Sequence, residues 1–173
     1  MYLRKPSEGE FVPANGIYID AAPEGDPAAL LLEQEREIVE LYGKLDEEQS
    51  LFRYGVGKWS LKEALGHIMD TERIMSYRLL CAARGDATPL PRHADVFVDL
   101  TDFDSRPLAE LIAEFRAVRA STVSLVRGLT GEELQRFGFV NDSPTTAAAL
   151  AYFIIGHALH HLRIVRERYL PSM

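Results

Sequence analysis

Four long stretches of the sequence repeat apolar residues at intervals of three and four, and this periodicity constrains the fold more than any other feature. Such spacing places apolar side chains along one face of a helix, where they can pack against neighbouring helices. The stretches cover residues 27–45, 60–84, 107–128 and 143–169, and strand-like alternation is almost absent. The pattern therefore predicts an all-α protein, a four-helix bundle, within one domain of 173 residues.

Capping signals mark the starts of the first two long helices. Asp26 can cap a helix whose first turn contains Pro27, where a missing N–H costs nothing. Ser60 and Glu63 fit the capping box, in which each side chain bonds the backbone N–H of the other residue. We expect the second helix to end near Arg84, ahead of a long loop.

The start of the last long helix is less sharply marked. A capping box from Thr130 to Glu133 predicts a short helix, and FGFVNDSP at residues 137–144 is typical of a turn. The long helix is then expected to begin at Ser143 or Thr145, with the intervening proline in its first turn.

The N-terminal segment has a different composition. It is rich in Pro, Gly and Glu, so we predict an irregular arm over residues 1–27, with at most a short extended piece around Ile17–Ile19. The helical domain is assigned to residues 28–173.

Composition and charge exclude several classes of function. The formal net charge of -7 disfavours nucleic-acid binding, which depends on clustered Lys and Arg. No uninterrupted apolar run approaches the roughly 20 residues that cross a bilayer, and the first residues lack the apolar core of a signal peptide, so we expect a cytoplasmic protein with no membrane association. No P-loop, GxGxxG, CxxC or GxSxG pattern occurs, and Cys81 is expected to be core filler.

Three of the five histidines lie in GHALHH at residues 156–161. Successive helical residues turn by about 100°, so His157 and His161 lie roughly 40° apart on one face, one turn from each other. His160 falls to one side of this pair. His67 occupies a core position of the second helix, and glycines precede both His67 and His157. If the two glycine-bearing turns cross, the three imidazoles can converge on one ion.

Two interpretations of these histidines compete. A pair of histidines one turn apart arises often by chance and can be ordinary core filling. Each buried imidazole, however, needs a hydrogen-bond partner, and leaving a polar group unpaired costs roughly 1–3 kcal/mol. One shared metal ion satisfies three rings at once, and three imidazole ligands leave a coordination position for water or substrate.

Several motifs taken together resemble one known family. They are GKWSLKEALGHIMDTERIMSYRLL at 57–80, the following RGDATPLP, PLAELIAEFRAVRAST, and YFIIGHALHHLRIVRERYL at 152–170. This combination is similar to the DinB-like superfamily, also described as YfiT-like metal-dependent hydrolases, from about Ala29 to Leu170. The resemblance implies a bundle with an up-up-down-down course that holds a divalent ion, zinc or nickel, through His67, His157 and His161.

The resemblance also carries expectations about activity. It implies a metal-dependent enzyme that activates either water or a low-molecular-weight thiol, since characterised relatives include bacillithiol S-transferases and mycothiol-dependent isomerases. It implies a small-molecule substrate and a homodimer. A rival hypothesis from another class is a stress-induced or damage-inducible metal-binding protein that acts as an interaction module without catalysis.

Three further residues are candidates for the site. Asp70, one turn after His67, is a candidate catalytic or ligand-tuning acid, although such acids are more often solvated or paired with a cation such as Arg73. His93, on the long loop, is a candidate proton shuttle, with plain surface exposure as the commoner alternative. Trp59, ahead of the Ser60 cap, is expected to plug the bundle end, with substrate stacking as the alternative.

Several arginines of the second and third helices have two possible roles. They can present cations to an anionic substrate, or they can lie on solvated faces, and the sequence favours neither. They are Arg73, Arg78, Arg84, Arg116 and Arg119.

Overall fold

The structure, a computed structural model, describes residues 4–90, 97–140 and 142–173. Its helices and strands are, in chain order, α1 (Gly16–Ala21), α2 (Pro27–Tyr42), α3 (Glu47–Ser50), α4 (Leu61–Ala83), α5 (Leu108–Arg127), α6 (Gly131–Gln135), β1 (Phe137–Val140), β2 (Ser143–Thr146) and α7 (Ala147–Ile164). A π-helical segment, Val165–Tyr169, continues α7, and 3-10 turns lie at Pro13–Asn15 and Leu170–Ser172.

The four long helices α2, α4, α5 and α7 form the predicted four-helix bundle. Helices α2 and α4 each pack against both α5 and α7. Buried apolar side chains form two clusters, one around Leu79 and Phe153 and the other around Leu65, Phe115 and Leu162. The fold class predicted from the helical periodicity is therefore confirmed.

The direction of α5 follows from its contacts with α4 and α2. Lys62, at the start of α4, donates to the carbonyl oxygen of Arg106, just ahead of α5. Further along, Arg119 of α5 donates to Glu72 in the middle of α4, so α4 and α5 run parallel. Arg119 also donates to the carbonyl oxygen of Leu31, early in α2, so α2 and α5 run antiparallel.

Helix α7 runs parallel to α2, which makes the course of the bundle up-down-down-up. The hydroxyl of Tyr152, early in α7, donates to the carbonyl oxygen of Gly25, just before α2, and Arg166, beyond α7, donates to Glu37. The predicted up-up-down-down course is thus wrong. The end of α4 and the start of α5 therefore lie at opposite ends of the bundle.

The capping boxes at Ser60 and Thr130 are both present, but the start of the last helix was predicted too early. Strands β1 and β2 pair as an antiparallel hairpin, in which Pro144 lies opposite Phe139, and α7 begins after the N-cap residue Thr146. Proline is compatible with a short edge strand as well as with a first helical turn, so its position alone misled the prediction.

The N-terminal segment is more ordered than the sequence predicted. Instead of an extended piece around Ile17–Ile19, the chain forms the short helix α1, which packs against α7 and buries Ile19. The backbone N–H of Thr146 donates to the carbonyl oxygen of Glu10, which ties the segment to the hairpin. Six residues carry too little periodicity to be recognised, and so short a helix depends on tertiary packing.

By length and composition the segment Ala147–Ser172 could cross a membrane, but 72% of its most apolar window is buried inside the fold. Its apolar character is that of the central helix of a bundle, which other helices surround.

Candidate metal centre

Three histidine side chains from two helices meet on one side of the bundle. His67 lies in the second turn of α4, and His157 and His161 lie one turn apart on α7. The Nε2 atom of His157 is 3.1 Å from Nε2 of His67 and 3.2 Å from Nε2 of His161. The structure therefore brings together the three residues that the sequence singled out.

These distances fit a shared ion better than hydrogen bonding alone. An imidazole nitrogen carries either one proton or one lone pair, so Nε2 of His157 can make only one of its two contacts a good hydrogen bond. Two nitrogens bound at about 2.0–2.1 Å to one ion would lie roughly 2.9–3.4 Å apart, depending on the angle between them. The donor set, three imidazole nitrogens, is one that zinc, nickel and similar divalent ions accept.

The electrostatics of the cluster favour neutral rings, which are the form that binds a metal. His67 and His157 are buried. Burial, together with the neighbouring charges of His67 and His160, lowers the pKa of His161 to about 3. At neutral pH the ring of His161 therefore offers a lone pair.

The stability of the metal-free protein should depend on pH through His161. The unfolded chain protonates this residue near its ordinary pKa of 6.5, whereas the folded chain does so only near pH 3. The contribution of neutral His161 to the free energy of unfolding is therefore complete above pH 6.5. It is lost as the pH falls toward about 3. Urea unfolding of the metal-free wild type and of His161→Gln measures this dependence. Between pH 6.5 and 3 the free energy of unfolding should fall more steeply with decreasing pH in the wild type than in the variant. Parallel curves would contradict this.

Aromatic side chains enclose the histidine rings. The ring of Trp59 lies 4.7 Å from that of His67, measured between centroids, and Phe153 stacks on His157 at 5.7 Å and 14°. Tyr18 of α1 meets His157 edge-on at 5.4 Å. Trp59 thus lies beside the cluster, where it can contact a substrate.

The turns that carry Gly66 and Gly156 meet at the histidines, but the two glycines face other neighbours and do not mediate this contact. A Cβ on Gly66 would lie 2.4 Å from the ring of Phe103, and a Cβ on Gly156 would lie 1.8 Å from the carbonyl oxygen of Tyr18. Gly156 therefore admits the backbone of α1, and this close approach places Tyr18 beside His157.

The substitution Gly156→Ala should displace α1 from α7. A methyl group cannot occupy the space that the Tyr18 carbonyl fills, and backbone cannot yield as a flexible side chain can. We expect a loss of about 1–3 kcal/mol in the free energy of unfolding, measured by urea denaturation, together with faster proteolysis of the N-terminal segment. Gly55→Ala is the matched control, because its new Cβ would meet only Lys58 Cγ at 3.6 Å. Equal behaviour of the two variants would refute this account.

A cavity of about 360 Å³ opens beside the histidine cluster. Helix α4 lines it with Thr71, Met75 and Arg78, and the N-terminal segment contributes Asn15 and Tyr18. Sequence reasoning missed these last two residues, because nothing in a segment rich in Pro and Gly indicates that it folds against a distant helix.

Other predicted residues lie in different surroundings. Asp70 does not line the cavity, and its carboxylate accepts from Arg73, which also donates to Glu114. Burial raises the pKa of Asp70 above its ordinary value, against the lowering effect of Arg73. Its catalytic role stays a prediction, and His93 lies outside the described residues.

The remaining arginines lie in three different environments. Arg119 is buried against Glu72, so it is neither solvated nor available to a substrate, contrary to both alternatives. Arg84 and Arg116 form exposed ion pairs, whereas Arg78 lines the cavity.

Comparisons with known proteins agree with the four-helix fold. A family model described as the DinB superfamily matches residues 30–165. Among solved structures the chain is similar to YfiT from Bacillus subtilis, with a TM-score of 0.73, 18% sequence identity, and coverage of 94% of this chain and 90% of that chain. YfiT is described as a probable metal-dependent hydrolase with an unusual four-helix bundle topology. At this identity the likeness shows the fold. No curated protein gives a significant match.

Proposed function

The chain belongs to the DinB superfamily, and from this premise we propose that it is a metal-dependent hydrolase whose divalent ion is held by His67, His157 and His161. The observation that carries the proposal is the convergence of one ring nitrogen from each histidine, all within 4.8 Å of one another. The description of YfiT as a probable metal-dependent hydrolase supports the same reaction class.

The residues of this chain supply binding and orientation. His67, His157 and His161 would hold the divalent ion through neutral imidazoles, and the bound ion would supply Lewis acidity toward a substrate carbonyl group and water. The rings of Trp59, Phe153 and Tyr18 hold the histidines in place and limit access of bulk water to them. Thr71 places a hydroxyl group on the cavity wall, where a substrate can form a hydrogen bond.

Hydrolysis can be tested on protein purified without a histidine tag. We expect zinc-loaded protein to hydrolyse p-nitrophenyl acetate or members of a panel of lactones and amides, and the rate to follow zinc occupancy through chelation and reloading. His67→Ala should reduce the rate to background, and Arg84→Gln, on the far end of α4, should not. Full occupancy without hydrolysis of any member would refute the proposal.

The same preparation tests the two alternatives from the sequence. A low-molecular-weight thiol can replace water as the nucleophile, and its conjugation to an electrophile without any hydrolysis would favour thiol transfer. If the metal serves only the stability of an interaction module, its removal should strongly lower the melting temperature.

Metal identity and assembly are separate parts of the proposal. We expect zinc or nickel, because both accept imidazole ligands, and elemental analysis of the tag-free protein measures which is bound. The homodimer and the cytoplasmic location are proposed from the family resemblance and the composition. Sedimentation of the purified protein measures the assembly.

A further inference from the structure

The cavity beside the histidine cluster has a charge balance opposite to that of the whole chain. The chain carries a net charge of -7. Among the described residues that line the cavity there is no Asp or Glu, whereas Arg78 is one of them. Arg78 is only 4% exposed. A permanent cation in the buried wall of a cavity that the three histidines also line favours a ligand with negative charge.

Helix α4 places Arg78 on the same face as His67. His67, Thr71, Met75 and Arg78 all line the cavity, and their spacing of four, four and three residues keeps them on one helix face. His67 and Arg78 are eleven residues apart, which corresponds to about 16 Å along the helix axis. Side chains of a helix lean toward its N-terminus, so the long side chain of Arg78 covers part of this distance.

Arg78 is held by the hairpin. Its Nη1 atom donates to the carbonyl oxygen of Phe139 in β1 at 3.1 Å. This contact helps to hold the Arg78 side chain at the cavity wall. A guanidinium on the cavity wall attracts a carboxylate through its permanent positive charge.

A second polar group on the cavity wall comes from the N-terminal segment. The amide nitrogen of Asn15 is buried and has no hydrogen-bond partner within the described parts of the chain. Asn15 also lines the cavity. A buried donor without an acceptor is unfavourable, and a ligand oxygen would provide the acceptor.

We propose that this cavity is a carboxylate subsite, in which Arg78 binds the carboxylate of a small substrate and Asn15 adds a hydrogen bond. The aromatic and apolar walls, including Phe153 and Met75, contact the body of the substrate. The proposal deepens the proposed function, on which it rests for the group to be hydrolysed at the histidine cluster. Binding of the carboxylate itself does not require the metal.

The test compares 3-phenylpropionate with 3-phenylpropionamide, which have nearly the same shape but differ in charge. The only tryptophan of the chain, Trp59, lines the same cavity, so its fluorescence reports binding directly. Both compounds are titrated into zinc-loaded and metal-free protein. We expect the carboxylate to bind at least tenfold more tightly than the amide in the zinc-loaded protein, and a smaller preference to remain without metal.

Variants then assign the preference to Arg78. Arg78→Gln should reduce the preference to within twofold, while affinity for the amide stays nearly unchanged. Arg84→Gln removes the same charge from the same helix, but its side chain is 53% exposed and pairs with Glu133, so it should keep the wild-type preference. If circular dichroism shows that Arg78→Gln does not fold, Asn15→Asp serves as the test variant instead. Its new carboxylate on the cavity wall should repel 3-phenylpropionate and reduce the preference for the acid.

Three outcomes would overturn the proposal. The first is equal binding of the acid and the amide by the wild type, and the second is a preference for the acid that survives both variants. The third is a preference for the acid that exists only with zinc, which would mean that the metal binds the carboxylate. Zinc binding and hydrolysis are measured separately. Hydrolysis without carboxylate preference therefore refutes the subsite alone, and carboxylate preference without hydrolysis refutes the proposed function alone.

Discussion

Replacing His157 with alanine is expected to abolish stoichiometric metal binding. His157 is central to the cluster, since its Nε2 atom lies 3.1 Å from that of His67 and 3.2 Å from that of His161. Loss of a residue that is hydrogen-bonded to a metal ligand already weakens metal affinity 10- to 100-fold. Loss of a ligand itself should therefore weaken metal affinity by about 100-fold or more. Calorimetric titration of tag-free protein with zinc measures the change.

A neighbouring histidine provides the control. His160 is on the same helix and its ring lies 5.3 Å from that of His161, but the three converging nitrogens do not include it. His160→Ala should therefore retain zinc affinity within a few-fold. A tight site that persists in His157→Ala, or equal losses in both variants, would show that the cluster is not the metal site.

The second large effect concerns a buried ion pair in the middle of the bundle. Arg119 of α5 is fully buried and forms hydrogen bonds of 2.8–3.1 Å with the carboxylate of Glu72 on α4. It also donates to Gln34 of α2, whose amide donates to the carbonyl oxygen of Ile155 on α7. These three side chains link all four long helices. Ile155 precedes Gly156 and His157, so the network also supports the metal-binding turn.

Arg119→Met should lower the free energy of unfolding by about 3–5 kcal/mol, because it leaves the carboxylate of Glu72 buried without its cation. The double variant Arg119→Met with Glu72→Leu should recover most of this loss, since two apolar residues carry no desolvation cost. Urea denaturation followed by circular dichroism measures all of these variants.

Arg116→Met is the matched control on the same helix. Its side chain is 61% exposed and pairs with Glu35 at 3.6 Å, so its removal should change the free energy of unfolding by less than about 1 kcal/mol. If Arg119→Met falls in the same range as Arg116→Met, the buried pair contributes little to stability and this account of the bundle is wrong.

The features that the sequence predicted well depend on neighbours within one or two helical turns. The capping boxes at Ser60 and Thr130 set the starts of α4 and α6 because both partners lie three residues apart. His157 and His161 share a face because four residues are close to one helical turn. No long-range information is needed for either inference.

The features that the sequence predicted wrongly depend on contacts between residues far apart in the sequence. Pro144 lies in a strand and not in a helix because that strand pairs with the one that contains Phe139. Helix α1 forms because Gly156, distant in the chain, admits the carbonyl of Tyr18. Arg119 has the pattern of a surface residue, and only the position of Glu72 on another helix makes its burial favourable.

The sequence by itself determined which segments become long helices and which histidines face the core, because helical geometry is local and repeats every 3.6 residues. Only the tertiary structure decided the up-down-down-up course, the contribution of the N-terminal segment to the cavity, and the convergence of His67 with the pair on α7. These features depend on which helix faces meet and which polar groups lose water, and both result from packing between segments that are distant along the chain.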